Sequence, residues 1–492
     1  METQALDFPL WLRVTHFFNF LFMTLLVRSG IEIIGAHPMF YWNNDCEPGS
    51  EWLNFLNKKV ERNTLWTAED EIRPLSPWLA LPGRNNLGLG RHWHLWSVVG
   101  WLLSGILYMT LLFLTPHWQR LVPTSWSIFP EAWQAFKTYL SLELPAAGNP
   151  YNPLQQLTYF LLVFALTPLV ILTGILMAPA ISARYPKLTA FLGGRQVARS
   201  IHLLGLVAYV FFFLIHLFMV VAHGLEHKLA NMVLNNEYDT NHLALAIGFA
   251  AIALVIGLNI FATKVSLKHP FQTKKALEVG IDSLRRFFFH HQHSVQDHQK
   301  ISPTPRANGQ PPRNTAYTRH LAEEFKNFTF EVRGLVEKPL DLRLDQLKAL
   351  PKQEQSTLHV CVQGWSYYAT WGGVRIENLL ALCKPLPDAK YLVFHTLDEK
   401  WEKPEVDGYY YEVIDMELAR KPQTILAYEM NGAPLPIAHG APLRLRLESQ
   451  LGYKMAKYVC GVELVEDFSH IGKGQGGWRD DVLNYYVKTA GI

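Results

Sequence analysis

Hydrophobic patterning divides the chain near residue 265. Before that point five apolar runs, at 12–34, 95–115, 154–178, 201–222 and 243–263, are each long enough to cross a bilayer as a helix, which takes roughly 20 residues. After about residue 300 the runs shorten to strand length between proline and glycine turns. Phe328-Thr329-Phe330-Glu331-Val332 and Tyr391-Leu392-Val393-Phe394-His395 alternate or run apolar as strands do, and 342–350 and 376–382 read as short helices. The pattern predicts a multi-domain protein: a five-helix transmembrane bundle followed by an α+β domain. Arg28 and Glu32 interrupt the first run four residues apart, a spacing that predicts an ion pair on one helix face. No small-residue cleavage site lies between Arg13 and Arg28, so no cleavable signal peptide is expected.

Ionisable side chains are costly inside such runs, which makes the membrane histidines functional candidates. His16 opens the first helix and His94 the second, with His92 two residues earlier. His202 and His216 both lie on the fourth, fourteen residues and so about 21 Å apart on nearly one face. Because helix direction alternates, His94 falls at the depth of His202 and His16 at the depth of His216. That geometry suits two stacked haems, each between axial imidazoles, although a lone membrane histidine is as often an interhelical hydrogen-bonder. Over roughly residues 8–265 the arrangement resembles the di-haem cytochrome b subunits of membrane hydrogenases and formate dehydrogenases. Arg91-His92-Trp93-His94 fits their Arg-x-x-His pattern with His94 as the ligand. The resemblance implies two b haems held by His16, His94, His202 and His216, and exchange with the quinone pool. His223 reads as interfacial.

Composition narrows the chemistry further. A net charge of +3 over 492 residues gives no reason to expect a nucleic-acid partner. Four cysteines with no C-x-x-C spacing argue against a disulfide framework, a zinc site or a thiolate-held iron–sulfur cluster. A free cysteine is usually a small buried hydrophobe, but Cys361 ends an apolar strand-like run and is followed by Trp365-Ser366 and Trp371-Gly372-Gly373. This C-V-x-x-W-S-x-x-x-x-W-x-G stretch resembles the molybdenum-ligating segment of the sulfite-oxidase-fold molybdopterin enzymes, closest to their methionine sulfoxide reductase branch. The resemblance makes Cys361 the molybdenum ligand and central catalytic group. His439-Gly440-Ala441-Pro442-Leu443-Arg444, followed by Gly452-Tyr453-Lys454-Met455-Ala456-Lys457, matches the family's pterin segment with His439 in place of asparagine. Asn308, Thr396, His439, Arg444, Met455, Ala456 and Lys457 are the implied pterin contacts. Tyr453 and Trp365 are expected at the substrate pocket, and Gly474-Gln475-Gly476-Gly477 reads as a loop lining it.

The domain boundaries expected are 1–265 for the cytochrome b bundle, 266–307 for a linker and 308–492 for the molybdopterin domain. Histidines and prolines between 287 and 314, including His290, His291, His293 and His298, read as a solvated tether. Arg184, Lys187, Arg195 and Arg199 in the loop before the fourth helix, with Lys264, Lys268, Lys274 and Lys275 after the fifth, place the C-terminal domain on the cytoplasmic face of a bacterial inner membrane. Together the two resemblances imply a membrane-bound oxidoreductase. Electrons from quinol would pass through two haems to a molybdenum–molybdopterin centre that removes an oxygen atom from a small S- or N-oxide. Sulfite-type oxidation, for which Arg375 and Arg446 are the nearest anion-binding candidates, and a purely electron-transferring or redox-sensing cytochrome are the alternatives. Lipid surrounds the bundle, and an oligomer is compatible with the sequence.

Overall fold

The computed structural model describes residues 7–56, 68–146, 148, 150–236, 239–289, 294–295, 297–298, 300–400, 408–486 and 490–491, without the side chains of 68–69 and 283–289. Among the described residues, five helices are long and apolar enough to cross a membrane: Leu10–Ala36, Leu87–Leu114, Pro153–Leu176, Arg195–Ala222 and Leu243–Lys268. Two begin well before their apolar runs. Asn86 caps the second through a bond from Leu89 N, so that helix carries Arg91, His92 and His94 within its first turns. The fourth starts at Arg195 and keeps Arg195, Gln196 and Arg199 on its first two turns. Asn152 and Gln155 form a capping box ahead of Pro153 on the third helix. A single π turn at Leu162–Leu166 precedes Pro168, a proline with no N–H to give to the helix ladder.

The expected Arg28–Glu32 pair is not made. Arg28 donates to Asn259 Oδ1 (3.0 Å), Thr263 Oγ1 (2.7 Å) and the carbonyls of Pro77 and Ala80. Glu32 instead accepts from the Asn86 backbone N–H at the start of the second helix. A guanidinium has five donors that one carboxylate cannot satisfy, and a carboxylate is favoured at a helix N-terminus.

The first loop forms a small hairpin of β1 (Met39–Phe40) and β2 (Leu53–Asn54). The soluble domain continues with β3 (Thr329–Gly334), β4 (Leu340–Arg343), β5 (Lys352–Val360), β6 (Ser366–Arg375), β7 (Tyr391–Glu399), β8 (Tyr409–Asp415), β9 (Thr424–Met430), β10 (Ala433–Pro434), β11 (Arg444–Leu447) and β12 (Val459–Val465). One sheet runs β4-β3-β12-β7-β8, and the other runs β10-β9-β6-β5 with β11 also on β9. Among the described residues, only β3 and β12 pair in parallel. Phe330, Val332, Phe394, Leu426 and Leu445 belong to one buried apolar cluster that joins the two sheets, and a second cluster packs Val360, Trp365, Tyr367, Trp371 and Ile425 with Met39, Tyr41 and Leu87 of the membrane domain.

The linker expected over 266–307, and the solvated tether expected over 287–314, are structured where they are described. Helix Pro270–Phe289 places Leu277 and Ile281 against Leu25, Leu81, Trp93 and Ala262 of the membrane domain. Beyond it, His298 N bonds Ser356 O (2.8 Å) and Ser302 N bonds Tyr368 O (3.0 Å). Arg306 is buried in an ion pair with Glu71 of the first loop. Backbone groups that find partners on a sheet gain nothing by remaining in water. His290, His291 and His293 lie outside the described residues.

The soluble domain docks where the first helix ends and the second and fourth begin. Gly88 marks how close this approach is, because a Cβ there would stand 2.2 Å from Leu483 O and 2.5 Å from Asn484 O. Gly88→Val should force these backbones apart. Amide hydrogen exchange over 478–486 is expected to accelerate about tenfold or more, the equivalent of about 1.4 kcal/mol, and an unchanged exchange rate would refute the contact.

Candidate functional site

Cys361 sits in the five-residue connection between β5 and β6, whose register closes at Val360 opposite Ser366. Cys361 N bonds Trp365 O (2.9 Å) and Gly364 N bonds Cys361 O (3.1 Å). Gly364 supplies the φ of +132° that the turn requires. Trp365 Nε1 donates to Gln363 Oε1 (3.1 Å), fixing the indole beside the thiol. Burial pushes the Cys361 thiol up to about 11, against the opposing pull of Arg195, Arg479 and Arg306. A buried thiol of that kind becomes a thiolate when a cation takes the proton's place.

Next to this turn lies a concentration of buried positive charge. Arg444 donates to His439 O (3.1 Å), and its guanidinium lies 5.1 Å from the centre of the Trp371 ring. Lys457 donates to the carbonyls of Asn308 (2.7 Å) and Ala438 (3.0 Å). Thr396 pairs with Val459 across β7 and β12, and its hydroxyl donates to Tyr410 O (2.5 Å). Met455 and Ala456 are buried, and Ala456 O accepts from Leu445 N (2.9 Å). Asn308, His439, Arg444 and Lys457 are therefore gathered in one place. Met455 and Ala456 underlie the Arg444 strand, and Thr396 flanks Lys457.

Burial pushes Lys457 down to about 7, with Arg444, Lys400 and Arg479 adding to the effect and Asp398 opposing it. Burial, with Arg444 and Lys457 beside it, likewise pushes His439 down to about 3. Its Nδ1 and Arg444 Nε are buried with no hydrogen-bond partner among the described residues. Crowded cations with orphaned polar atoms favour a polyvalent anion. These residues fit the pyrophosphate and polar edge of a pterin cofactor. The aromatic sequence Trp365–Tyr367–His439, with ring centroids 6.1 and 6.0 Å apart, links the cluster to the cysteine turn.

Arg446 belongs to a different arrangement. It makes two bonds of 3.0 Å to the Glu448 carboxylate and a third to His359 Nδ1 (2.9 Å), all fully buried. That occupation removes it as a free anion-binding group. Arg375 stands at the end of β6, where the chain turns into helix Ile376–Cys383.

In the membrane, the His94 and His202 ring centroids are 6.3 Å apart and those of His16 and His216 are 6.4 Å apart. An imidazole nitrogen sits about 2 Å from its metal and about 1 Å from its own ring centre, so two trans ligands of one ion place their centroids about 6 Å apart. Both pairs meet that spacing. His202 Nδ1 donates to Val170 O (3.1 Å) and lies beside Thr173 Oγ1 (3.2 Å), and His94 Nδ1 meets Ser29 Oγ (3.1 Å). A proton held at Nδ1 leaves Nε2 as the nitrogen with a lone pair. Gly30 and Gly174 leave room beside these rings, where a Cβ would approach the two Cε1 atoms at 3.8 and 3.3 Å. These residues fit a haem in each pair. His92 is occupied otherwise, with Nδ1 on Gly88 O (2.7 Å), Nε2 near Glu278 (3.4 Å) and its ring 4.9 Å from Tyr486. His223 bonds the Tyr139 hydroxyl (3.2 Å).

Sequence reasoning missed the seam between the domains. Arg195 Nη1 (2.5 Å) and Gln196 Nε2 (2.8 Å) both donate to Gly364 O, and Arg199 donates to the carbonyls of His37 and Met39. Arg91 Nε donates to the Tyr486 hydroxyl (3.2 Å). Arg195 and Arg199 had counted only as charges that orient the chain. A glutamine between two arginines at the mouth of an apolar helix was the available signal.

Residues 7–235 match the family model for prokaryotic cytochrome b561, and residues 318–470 match that for the oxidoreductase molybdopterin binding domain. A candidate protein-methionine-sulfoxide reductase subunit, YedZ1 of Azospira oryzae, is 36% identical over 160 residues, which is 32% of this chain and 55% of that protein. The protein-methionine-sulfoxide reductase catalytic subunit MsrP of Campylobacter jejuni is 31% identical over 156 residues, 30% of this chain and 52% of its own. MsrP of Xanthomonas axonopodis is 35% identical over 145 residues, with shares of 28% and 45%. The chain thus spans about half the length of the curated relatives it matches.

Three measurements check the site. Above about pH 7 folded Lys457 is neutral, whereas the unfolded chain keeps that proton to about 10.5. The unfolded state then binds more protons, so this group makes the cofactor-free protein more stable as pH rises from about 7 to 10.5. Lys457→Met should remove that slope in denaturation midpoints. Pyrophosphate binding near about pH 8.5 should draw a proton onto the protein, read by calorimetry as observed heats that differ between two buffers of unlike ionisation enthalpy, and equal observed heats would contradict the cationic cluster. Arg446→Ala should cost about 3–5 kcal/mol by stranding Glu448, with a fall in thermal midpoint before any selective change in KM.

Proposed function

Because the chain fuses a prokaryotic cytochrome b561 segment to an oxidoreductase molybdopterin-binding domain, we propose that it is a membrane-bound molybdoenzyme that reduces a sulfoxide with electrons drawn from quinol through two b haems. The observation that carries this reading is the seating of the Cys361 turn on the membrane helix that also bears His202. A metal centre at Cys361 would then lie above the His94–His202 pair, with the His16–His216 pair farther along the same helix. The methionine sulfoxide reductase names of the relatives support the substrate class.

The balance is simple: one sulfoxide, two electrons and two protons give one sulfide and one water. A molybdenum–pterin group bound here supplies oxygen-atom transfer. The chain's own residues supply the rest. Cys361 offers the anchoring thiolate, Arg444 and Lys457 the phosphate contacts, and Trp365 an apolar wall. His16, His94, His202 and His216 would hold two b haems, which would supply one-electron transfer. Arg195, Arg306 and Arg479 act electrostatically on Cys361, and that field also suits an oxyanion, so sulfite-type oxidation into the quinone pool is the second reading. Arg184, Lys187, Lys264, Lys268 and Lys275 are exposed on the side of the soluble domain, which supports a cytoplasmic position for it.

The purified protein is expected to contain molybdenum and haem in about a one-to-two ratio. Cys361→Ser should lose molybdenum and sulfoxide-dependent haem reoxidation by about 100-fold or more, with both haem signals retained. His202→Ala should remove one of two redox waves. Haem spectra in a protein that never holds molybdenum or pterin would sink the proposal, and haem reduction by sulfite would select the second reading.

A further inference from the structure

We propose that Arg195, with Gln196 beside it, is a positioning residue that couples the molybdenum-ligand turn to the haem-bearing helix, so that the Cys361 loop and His202 are held as one mechanical unit. The inference rests on the molybdoenzyme reading above and concerns how its two redox centres are kept in register.

The turn does not need outside help to close, because Cys361 N–Trp365 O and Gly364 N–Cys361 O already bridge it. Two further donors nevertheless converge on the single Gly364 carbonyl, and both come from the other domain. Gln196 extends the contact to Ser366 Oγ (2.9 Å), where β6 begins. Arg195 reaches in two directions at once, with Nη1 on Gly364 O and Nε on Met177 O (3.1 Å) just past the third membrane helix. Arg195 is 4% exposed and Gln196 is fully buried.

The same two helices are joined one level deeper by Thr173, whose hydroxyl lies 3.2 Å from His202 Nδ1. His202 follows Arg195 by seven residues, two helical turns, or about 10 Å along the axis. Thr173 precedes Met177 by one turn. Among the links between the third and fourth helices, one therefore lies at His202 and one at the cysteine turn. Gly364 has no side chain to hold the loop away, and a Cβ there would stand 3.1 Å from Arg199 Nε. A shift of the helix start carries the Gly364 carbonyl with it and, through the closed turn, Cys361.

The test uses the full-length protein in lipid nanodiscs, with haems pre-reduced by a quinol analogue and reoxidised by free methionine sulfoxide in a stopped-flow instrument. Arg195→Ala is expected to bind haem and molybdenum as the parent does, to slow haem reoxidation at least about tenfold, and to alter the Mo(V) electron paramagnetic resonance spectrum. Arg195→Lys, which keeps a donor able to reach Gly364 O, should recover most of the rate. Gln196→Ala, which removes the weaker donor, should show a smaller effect of the same sign. A parental spectrum and rate in Arg195→Ala would overturn the proposal. Loss of molybdenum from that variant would also overturn it, since the contact would then hold the cofactor in place and not its register. Parent protein without molybdenum would instead be a failure of the molybdoenzyme reading itself.

Discussion

A buried guanidinium has to find acceptors for its donors, and in this protein that requirement decides how the two halves meet. Arg195 and Arg199 leave the membrane on the first turns of the fourth helix, where water would normally solvate them. They end instead on backbone carbonyls: Gly364 and Met177 for one, His37 and Met39 for the other. Carbonyls at turns and helix ends are the acceptors that folding leaves unpaired. The charge of a membrane helix mouth and the orphan acceptors of a tight turn thus satisfy each other. A charge-assisted bond of this kind is about twice as strong as a neutral one, which lets a few contacts define the whole approach.

The soluble domain carries the opposite problem, an excess of charge with too few partners. Arg446 is neutralised by Glu448 and contributes to the core. Arg444 and Lys457 face carbonyls, tyrosine hydroxyls and the Trp371 ring with no carboxylate bonded to them among the described residues, and the charge of Asp398 counters Lys457 from farther off. The two neighbouring arginines of β11, two residues apart on one strand face, thereby divide into a structural member and a ligand-seeking one. Sequence alone could not separate them, because the distinguishing partner, Glu448, acts through side-chain geometry.

Much of the architecture was legible in the sequence for physical reasons. Membrane helices announce themselves by length and hydropathy, and fourteen residues on one helix fix a relative azimuth for His202 and His216. Strand periods marked β3 and β7, and the glycine and tryptophans around Cys361 marked a turn. What escaped was tertiary. Arg28 and Glu32 have the spacing of an ion pair, yet each found a better-matched partner across the bundle. Residues 294–314 have the composition of a tether, yet their described backbone joins the sheet edge and Arg306 meets Glu71. The arginines of the fourth helix were visible only as positive charge, since a sequence does not say which carbonyl will be waiting.

That strap has a further consequence. With Ser302 and Arg306 fastened to the soluble domain and the first loop, and Leu277 and Ile281 fastened to the bundle, the soluble domain never diffuses away from the membrane helices. Covalent connection of this sort corresponds to a local concentration on the order of millimolar. An interface at that concentration needs little intrinsic affinity beyond the hydrogen bonds of the seam and the buried apolar cluster in which Ala36, Met39, Tyr41 and Leu87 meet Val360, Val362 and Trp365. Cut the strap, and two proteins that fit well in space would still be poor at finding each other in solution.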